Sequence, residues 1–131
     1  MAVEGGSVLD RYLMVVLGGA VGSLTRYLVG IAIMNRMGSR FPFGTAFINI
    51  TGSFLIGFIM TILTERFQPH PNWRLVLVVG FLGGYTTFSS FEWETLGLVR
   101  DGSHFLAVLY VVGSVLLGYI AVWLGAAIAG K

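Results

Sequence analysis

The sequence predicts an all-α integral membrane protein with four transmembrane helices, the third of them broken near Gly83–Thr87. Of the 131 residues, 56% are hydrophobic and only 11% are charged, and the mean hydropathy is +0.85. Four apolar segments of about 20 residues or more, the length that crosses a bilayer, are separated by short polar turns. Two adjacent glycines followed by Thr, Thr, Ser and Ser make the middle of the third segment a poor helix. The length leaves room for one domain, residues 1–131, and no separate soluble domain.

Turn-forming residues separate the four apolar segments. The first segment ends at the polar stretch 35–40, and the second begins after Pro42 and is closed by Pro69 and Pro71. A turn at 100–103 separates the third segment from the fourth. The predicted spans are 12–34, 44–64, 73–99 and 104–129.

Glycines recur four or five residues apart within three of the spans. Small residues let membrane helices approach closely, so helix packing is the preferred interpretation of most of them. The pairs are Gly18 and Gly22, Gly52 and Gly57, and Gly113 and Gly118.

The charged residues of the loops are almost evenly divided between the two sides of the predicted bundle. Such an even division gives no positive-inside bias, so either the short basic flanks fix the orientation weakly or the protein inserts both ways. Insertion in both orientations allows a dual-topology antiparallel homodimer with its two-fold axis in the membrane plane. The basic residues are Arg11, Arg66, Arg74 and Lys131 on one side, and Arg36, Arg40 and Arg100 on the other.

Composition also excludes several function classes. The chain has no cysteine, which excludes disulfides and thiolate metal sites. The net charge of +2 comes from basic residues spread along the chain, unlike the clustered basic face of a nucleic-acid binder. No nucleophile–base pair or metal-ligand spacing indicates an enzyme.

Charged residues inside the predicted spans are the first candidates for function. Arg26 lies well inside the first span, where an arginine costs about 2.5–3.5 kcal/mol on insertion scales. Its side chain could extend to the interface near Asn35, but we favour an aqueous vestibule that attracts anions. Glu92 and Glu94 lie in the third span, either as proton carriers of a transporter or as solvated residues of a vestibule.

The second and fourth spans carry polar side chains spaced three and four residues apart, on one helix face each. In the second span these are Thr45 and Asn49, and in the fourth they are Tyr110 and Ser114, followed by Gly118. The Asn49 amide needs partners in hydrocarbon. Either an interhelical hydrogen bond or an anion facing its N–H donors would supply them.

The interrupted third span carries the most informative pattern. Phe88 and Phe91 are three residues apart, beside Thr87, so both rings can project from one helix face. The positive edge of an aromatic ring could contact a small anion weakly enough for the anion to be released, as conduction requires. Carbonyl oxygens freed around Gly83 and Thr86 would suit a hard cation such as Na⁺.

Three segments together resemble the Fluc (CrcB-type) fluoride channels. They are the run Gly-Phe-Leu-Gly-Gly-Tyr-Thr-Thr-Phe-Ser-Ser-Phe at 80–91, Gly-Ser-Leu-Thr-Arg at 22–26, and Gly44, Thr45 and Asn49. With the length and the four-span layout, the resemblance covers essentially the whole chain. It implies a passive channel that exports fluoride across a bacterial inner membrane. It also implies a dual-topology homodimer with two antiparallel pores and a central structural Na⁺.

The resemblance also implies roles for individual residues. Phe88 and Phe91 match the pore-lining phenylalanines, one from each subunit in each pore, and Asn49 matches the pore asparagine. Arg26 matches the vestibule arginine. The backbone carbonyls that hold Na⁺ match Gly83 and Thr86, and the polar residues expected along the fluoride path are Thr45, Thr87, Glu94, Tyr110 and Ser114. The chain departs from the pattern at Tyr85, where a small or aliphatic residue such as leucine is more familiar, and at Ser90, where threonine is common. It also departs at Gly118, which lacks the hydroxyl that some members have there.

Two other classes of protein fit parts of the pattern. A proton-coupled small multidrug transporter is also a compact four-span, dual-topology protein, but it needs an acidic residue in the first span, where this chain has Arg26. An accessory subunit that only packs against a larger complex needs neither Asn49 nor a broken third span.

Overall fold

A computed structural model describes residues 6–67 and 69–131, and all regular structure in these two stretches is helical. Helix α1 spans Val8–Met37. Helix α2 spans Phe43–Thr61 and continues as a π-helical segment, Ile62–Arg66. The third span consists of α3, residues 72–85, and α4, Phe88–Arg100, with an interruption at Thr86 and Thr87. Helix α5 spans His104–Ala129.

Four helical stretches are long and apolar enough to cross a membrane: Val8–Met37, Phe43–Arg66, Asn72–Arg100 and His104–Ala129. Many large apolar side chains on these helices point outward, as expected when the surrounding solvent is lipid. The prediction of a four-span, all-α membrane protein is therefore confirmed.

The first span begins earlier and ends later than the predicted 12–34. At its start, the Ser7 hydroxyl accepts the backbone N–H of Asp10, and the Asp10 carboxylate accepts the backbone N–H of Ser7. This capping box satisfies two of the free N–H groups at the helix start and therefore extends α1 beyond the apolar run. Gly38, with φ of +79°, follows the last helical residue, Met37.

Helix α1 packs against α3, and α2 packs against α5. Glycines permit both approaches. A Cβ atom at Gly18 or Gly22 would overlap the carbonyl oxygen of Val76 or Phe81. A Cβ at Gly57 would overlap the carbonyl oxygen of Val122. These glycines thus have the packing role predicted for them. Gly113 has no atom within 4 Å of such a Cβ, so packing inside one chain does not explain it.

The third helix is interrupted as predicted, but the interruption is narrower than Gly83–Thr87. Residues Gly83–Tyr85 are helical, and only Thr86 (φ −83°, ψ 158°) and Thr87 (φ −151°, ψ 121°) are extended. The double glycine therefore does not break the helix. Gly84 instead allows α3 to approach α1, because its Cβ would lie 2.6 Å from the Gly19 carbonyl oxygen.

Candidate functional site

The interruption is held by the side chain of Asn49 on α2. The Asn49 Oδ1 accepts the backbone N–H of Thr87, and the Nδ2 donates to the Thr87 carbonyl oxygen, both at 2.9 Å. These two bonds fix which way the amide points. They also divert the Thr87 N–H from the Gly83 carbonyl, its partner in a continuous helix. The amide of Asn49 therefore stabilises the break directly.

Asn49 keeps one donor for another partner. A side-chain amide has two N–H donors, and the Thr87 carbonyl uses one of them. No other hydrogen bond of the Asn49 Nδ2 is formed with the described residues. The side chain is half-buried and lines a groove together with Thr86, Thr87 and Phe88. The sequence offers an interhelical hydrogen bond and an anion contact as alternative roles for the Asn49 amide. The structure shows that one side chain can form the first and keep an N–H donor for the second.

This groove, which we call the break groove, has a volume of about 360 Å³ and no charged residue in its wall. It lies between α2, α3 and the start of α4. Its lining residues are Asn49, Gly52, Ser53, Ile56, Val78, Leu82, Gly83, Thr86, Thr87 and Phe88.

Helix α4 begins immediately after the break, and Thr87 caps it. The Thr87 Oγ1 accepts the backbone N–H of Ser90 at 3.3 Å and donates to the Ser90 Oγ at 3.1 Å. The cap leaves the N–H groups of Phe88 and Ser89 without intrahelical partners, as at any helix start. The Thr87 hydroxyl is therefore engaged in capping, while the Ser90 hydroxyl keeps its own proton to donate. The sequence alone assigns no separate role to Ser90.

The two phenylalanines occupy different environments. Their ring centroids are 5.9 Å apart with the planes tilted by 48°. Phe91 is only 7% exposed, with its ring edge-on to that of Tyr110 at 4.9 Å. Phe88 is 74% exposed. The sequence predicts one helix face for both rings, and the structure shows one ring inside the bundle and one on its open face.

A second groove lies on the other side of Thr87, and we call it the charged groove. Arg26 lines it from α1, Thr45 from α2, and Ser90 and Glu94 from α4. Thr87 lines both grooves, so the break separates an uncharged groove from one that contains both signs of charge. Arg26 is half-buried there and forms no ion pair with Glu94.

Glu94 ties three helices together in the charged groove. Its Oε1 accepts from the Thr45 hydroxyl, and its Oε2 accepts from the Tyr110 hydroxyl, each at 2.7 Å. Tyr110 is 1% exposed and joins this pair to the ring of Phe91. The polar positions predicted separately on the second, third and fourth spans therefore converge. Glu92, by contrast, is exposed.

Ser114 lines neither of these grooves, although it shares a third cavity with Tyr110. It lines an apolar cavity between α1, α2 and α5, with Phe47, Ile50 and Leu117 among its neighbours. Within one chain it faces neither the break groove nor the charged groove. Its predicted place on a fluoride path is therefore not assembled by a single copy.

Gly83 and Thr86 both line the break groove. The preceding carbonyl, that of Leu82, accepts both the backbone N–H and the hydroxyl of Thr86. The Gly83 carbonyl has lost its helical donor, the Thr87 N–H, to Asn49. Thr86 is itself extended, so its carbonyl does not point along a helix axis. These two oxygens are the hard donors that a small cation requires.

Comparison with known proteins agrees with the architecture. Residues 13–126 match the sequence profile of the family described as CrcB-like protein, Camphor Resistance (CrcB). A protein of Solibacter usitatus (strain Ellin6076), named fluoride-specific ion channel FluC, is 62% identical over 92% of this chain and 99% of its own length. Proteins of the same name from Acidobacterium capsulatum and Hydrogenobaculum sp. (strain Y04AAS1) are each 50% identical over 92% of this chain, covering 97% and 98% of those relatives. The chain belongs to the CrcB-like family.

Proposed function

We propose that this protein is a passive, selective fluoride channel that exports fluoride from the bacterial cytoplasm. The observation that carries the proposal is the Asn49–Thr87 contact at the broken third span. Backbone is left unpaired at membrane depth only where protein or a water-filled path takes over its hydrogen bonds. Here a neutral amide takes over part of them and keeps one donor free. The relatives' printed name supports fluoride as the ion.

The electrostatics of the break groove favour an anion without trapping it. The groove contains no charged residue. It receives the start of α4, whose free N–H groups and helix dipole carry a partial positive charge. The free N–H of Asn49 and the positive ring edge of Phe88, which lines the groove, add weak donors. A full positive charge would bind fluoride more strongly, and conduction requires release. Arg26 instead lies in the charged groove, where it would raise the local anion concentration.

The pore requires a second copy of the chain. Phe88 is 74% exposed and Ser114 is outside both grooves, so one copy leaves the predicted fluoride path incomplete. An antiparallel homodimer with two pores would complete it, with one phenylalanine of each pair supplied by each subunit. The even distribution of basic residues between the two sides supports insertion in both orientations.

The absence of native cysteine makes this topology directly measurable. In sealed cells that express a Lys131→Cys variant, we expect a membrane-impermeant maleimide to label about half of the protein. The other half should be labelled only after permeabilisation, because the nearly equal basic flanks give no orientation bias. Complete labelling from the outside, or none, would contradict dual topology.

The residues at the break also fit a structural Na⁺. The N–H groups that would bond the Gly83 and Thr86 carbonyls in a continuous helix, those of Thr87 and Ser90, are bonded to the Asn49 and Thr87 side chains instead. Carbonyls of unwound membrane segments are typical Na⁺ ligands. Two copies related by a two-fold axis would each contribute both oxygens. A cation held there would neutralise unpaired carbonyls where the two breaks meet.

The proposal predicts that liposomes loaded with fluoride and containing the purified protein release it rapidly, whereas chloride-loaded liposomes do not. Sodium-free solutions should slow the release if Na⁺ supports the break. Comparable efflux of the two halides would refute selectivity. A rate unaffected by complete sodium removal would refute the role of Na⁺ alone. A proton-coupled transporter is the less favoured function, because the first span has Arg26 in place of an acid.

A further inference from the structure

A second contact between α2 and the third span lies on the α3 side of the break. The hydroxyl oxygens of Thr51 and Tyr85 are 2.8 Å apart. Tyr85 is 5% exposed, and its ring stacks on that of Phe81, with the centroids 5.8 Å apart and the planes within 14°. Tyr85 is the last helical residue before Thr86. The contact therefore lies at the residue with which α3 ends.

The direction of this hydrogen bond follows from the other bonds of Thr51. The Thr51 Oγ1 also lies 2.7 Å from the Phe47 carbonyl oxygen and 3.1 Å from that of Ile48. A hydroxyl has one proton, and carbonyl oxygens only accept, so the Thr51 proton is used within α2. Tyr85 is therefore the donor and Thr51 the acceptor. Phenylalanine at position 85 would remove the donor and keep the ring.

Three positions within one turn of α2, Asn49, Thr51 and Gly52, contact the three residues from Tyr85 to Thr87. Thr51 accepts from Tyr85, and Asn49 bonds the backbone of Thr87. Gly52 lies between them in space. A Cβ at Gly52 would overlap the Thr86 side chain and would lie 3.5 Å from the Tyr85 ring. The surface of α2 from Asn49 to Gly52 is thus complementary to the break.

We propose that the Thr51–Tyr85 hydrogen bond is a second positioning contact, which holds the α3 side of the break as Asn49 holds the α4 side. Tyr85 lies between Gly83 and Thr86 in the sequence, so this contact would orient the carbonyl groups of both residues. The inference deepens the proposed function and rests on it, because the consequence of losing the contact is a slower fluoride flux. Thr51 and Tyr85 do not themselves touch the ion.

Two single substitutions and their combination test the proposal. We expect Tyr85→Phe and Thr51→Val each to slow fluoride efflux per reconstituted channel by about three- to tenfold, the change that loss of one hydrogen bond supports. The double variant should be no slower than the slower single variant, because both remove the same contact. Thr51→Ser keeps the hydroxyl and should restore most of the wild-type rate. Tyr119→Phe, on an exposed tyrosine of α5, is the matched control and should conduct as wild type.

The outcomes separate this inference from the proposed function. A wild-type protein that passes no fluoride would overturn the channel itself. A conducting wild type with an equally fast Tyr85→Phe variant would overturn only the positioning role. Independent, multiplicative losses in the double variant would do the same. So would a Thr51→Ser variant as slow as Thr51→Val, or variants that lose folded protein while each remaining channel conducts at the wild-type rate.

Discussion

Replacing Asn49 with aspartate should nearly abolish fluoride efflux while the folded protein is retained. Aspartate can still accept the Thr87 N–H, so half of the contact survives. Its second oxygen, however, would face the Thr87 carbonyl oxygen, where the Nδ2 now donates at 2.9 Å. The substitution therefore sets two acceptors against each other, removes the free donor and adds a negative charge. We expect the rate of fluoride efflux to fall at least about a hundredfold, as measured with a fluoride electrode on liposomes.

Asn72→Asp is a matched control for this change. It introduces the same charge at the start of α3, near the end of a span, where a negative charge is favourable to the helix dipole. Its efflux should equal that of the wild type. An Asn49→Asp variant that conducts at the wild-type rate would exclude the amide from the fluoride path.

Replacing Phe88 with isoleucine should slow fluoride efflux by about tenfold or more, the equivalent of losing a single favourable aromatic edge contact. Isoleucine keeps the apolar character but has no ring edge with partial positive charge. Because Phe88 is largely exposed in the single chain, the substitution removes little packing within that chain, so the loss reports on the path. The buried Phe91 is a less direct test, since its replacement would also disturb the contact with Tyr110.

Phe105→Ile provides the comparison for Phe88, because Phe105 is equally exposed but lies in the first turn of α5. Both variants should elute from gel filtration at the wild-type volume, and only the Phe88 variant should conduct slowly. Equal rates for the two variants would mean that the ring edge at position 88 contributes nothing to conduction.

The four-span architecture can be predicted because each span is determined by its own stretch of sequence. Apolar runs long enough to cross a bilayer, ended by proline or polar turns, define the four spans. The ends were less accurate where side-chain contacts decide them, as at Ser7 and Asp10, whose capping box adds a turn to α1. The predicted break begins too early in the chain because a glycine that stays helical and packs against α1, as Gly84 does, cannot be distinguished in the sequence from a glycine that breaks the helix.

The site residues that the sequence predicts are those whose polar or charged side chains are energetically costly inside a membrane. Asn49, Arg26 and Glu94 were identified for that reason, and the structure brings each of them to a groove that borders Thr87. Partners depend on how the helices are rotated against one another, which spacing within one helix does not determine. The sequence therefore does not predict the hydrogen bond between Thr51 and Tyr85, although Tyr85 is one of the positions at which the chain departs from the pattern it resembles.

The most direct test of the account is whether fluoride moves passively and alone. Liposomes containing the protein, loaded with potassium fluoride and clamped to the same pH inside and out, should release fluoride when valinomycin allows potassium to follow. Without the ionophore, release should stop as soon as charge accumulates. Chloride should remain inside under both conditions. Efflux that requires a pH gradient, or that carries chloride as readily as fluoride, would contradict a fluoride channel built on the break between α3 and α4.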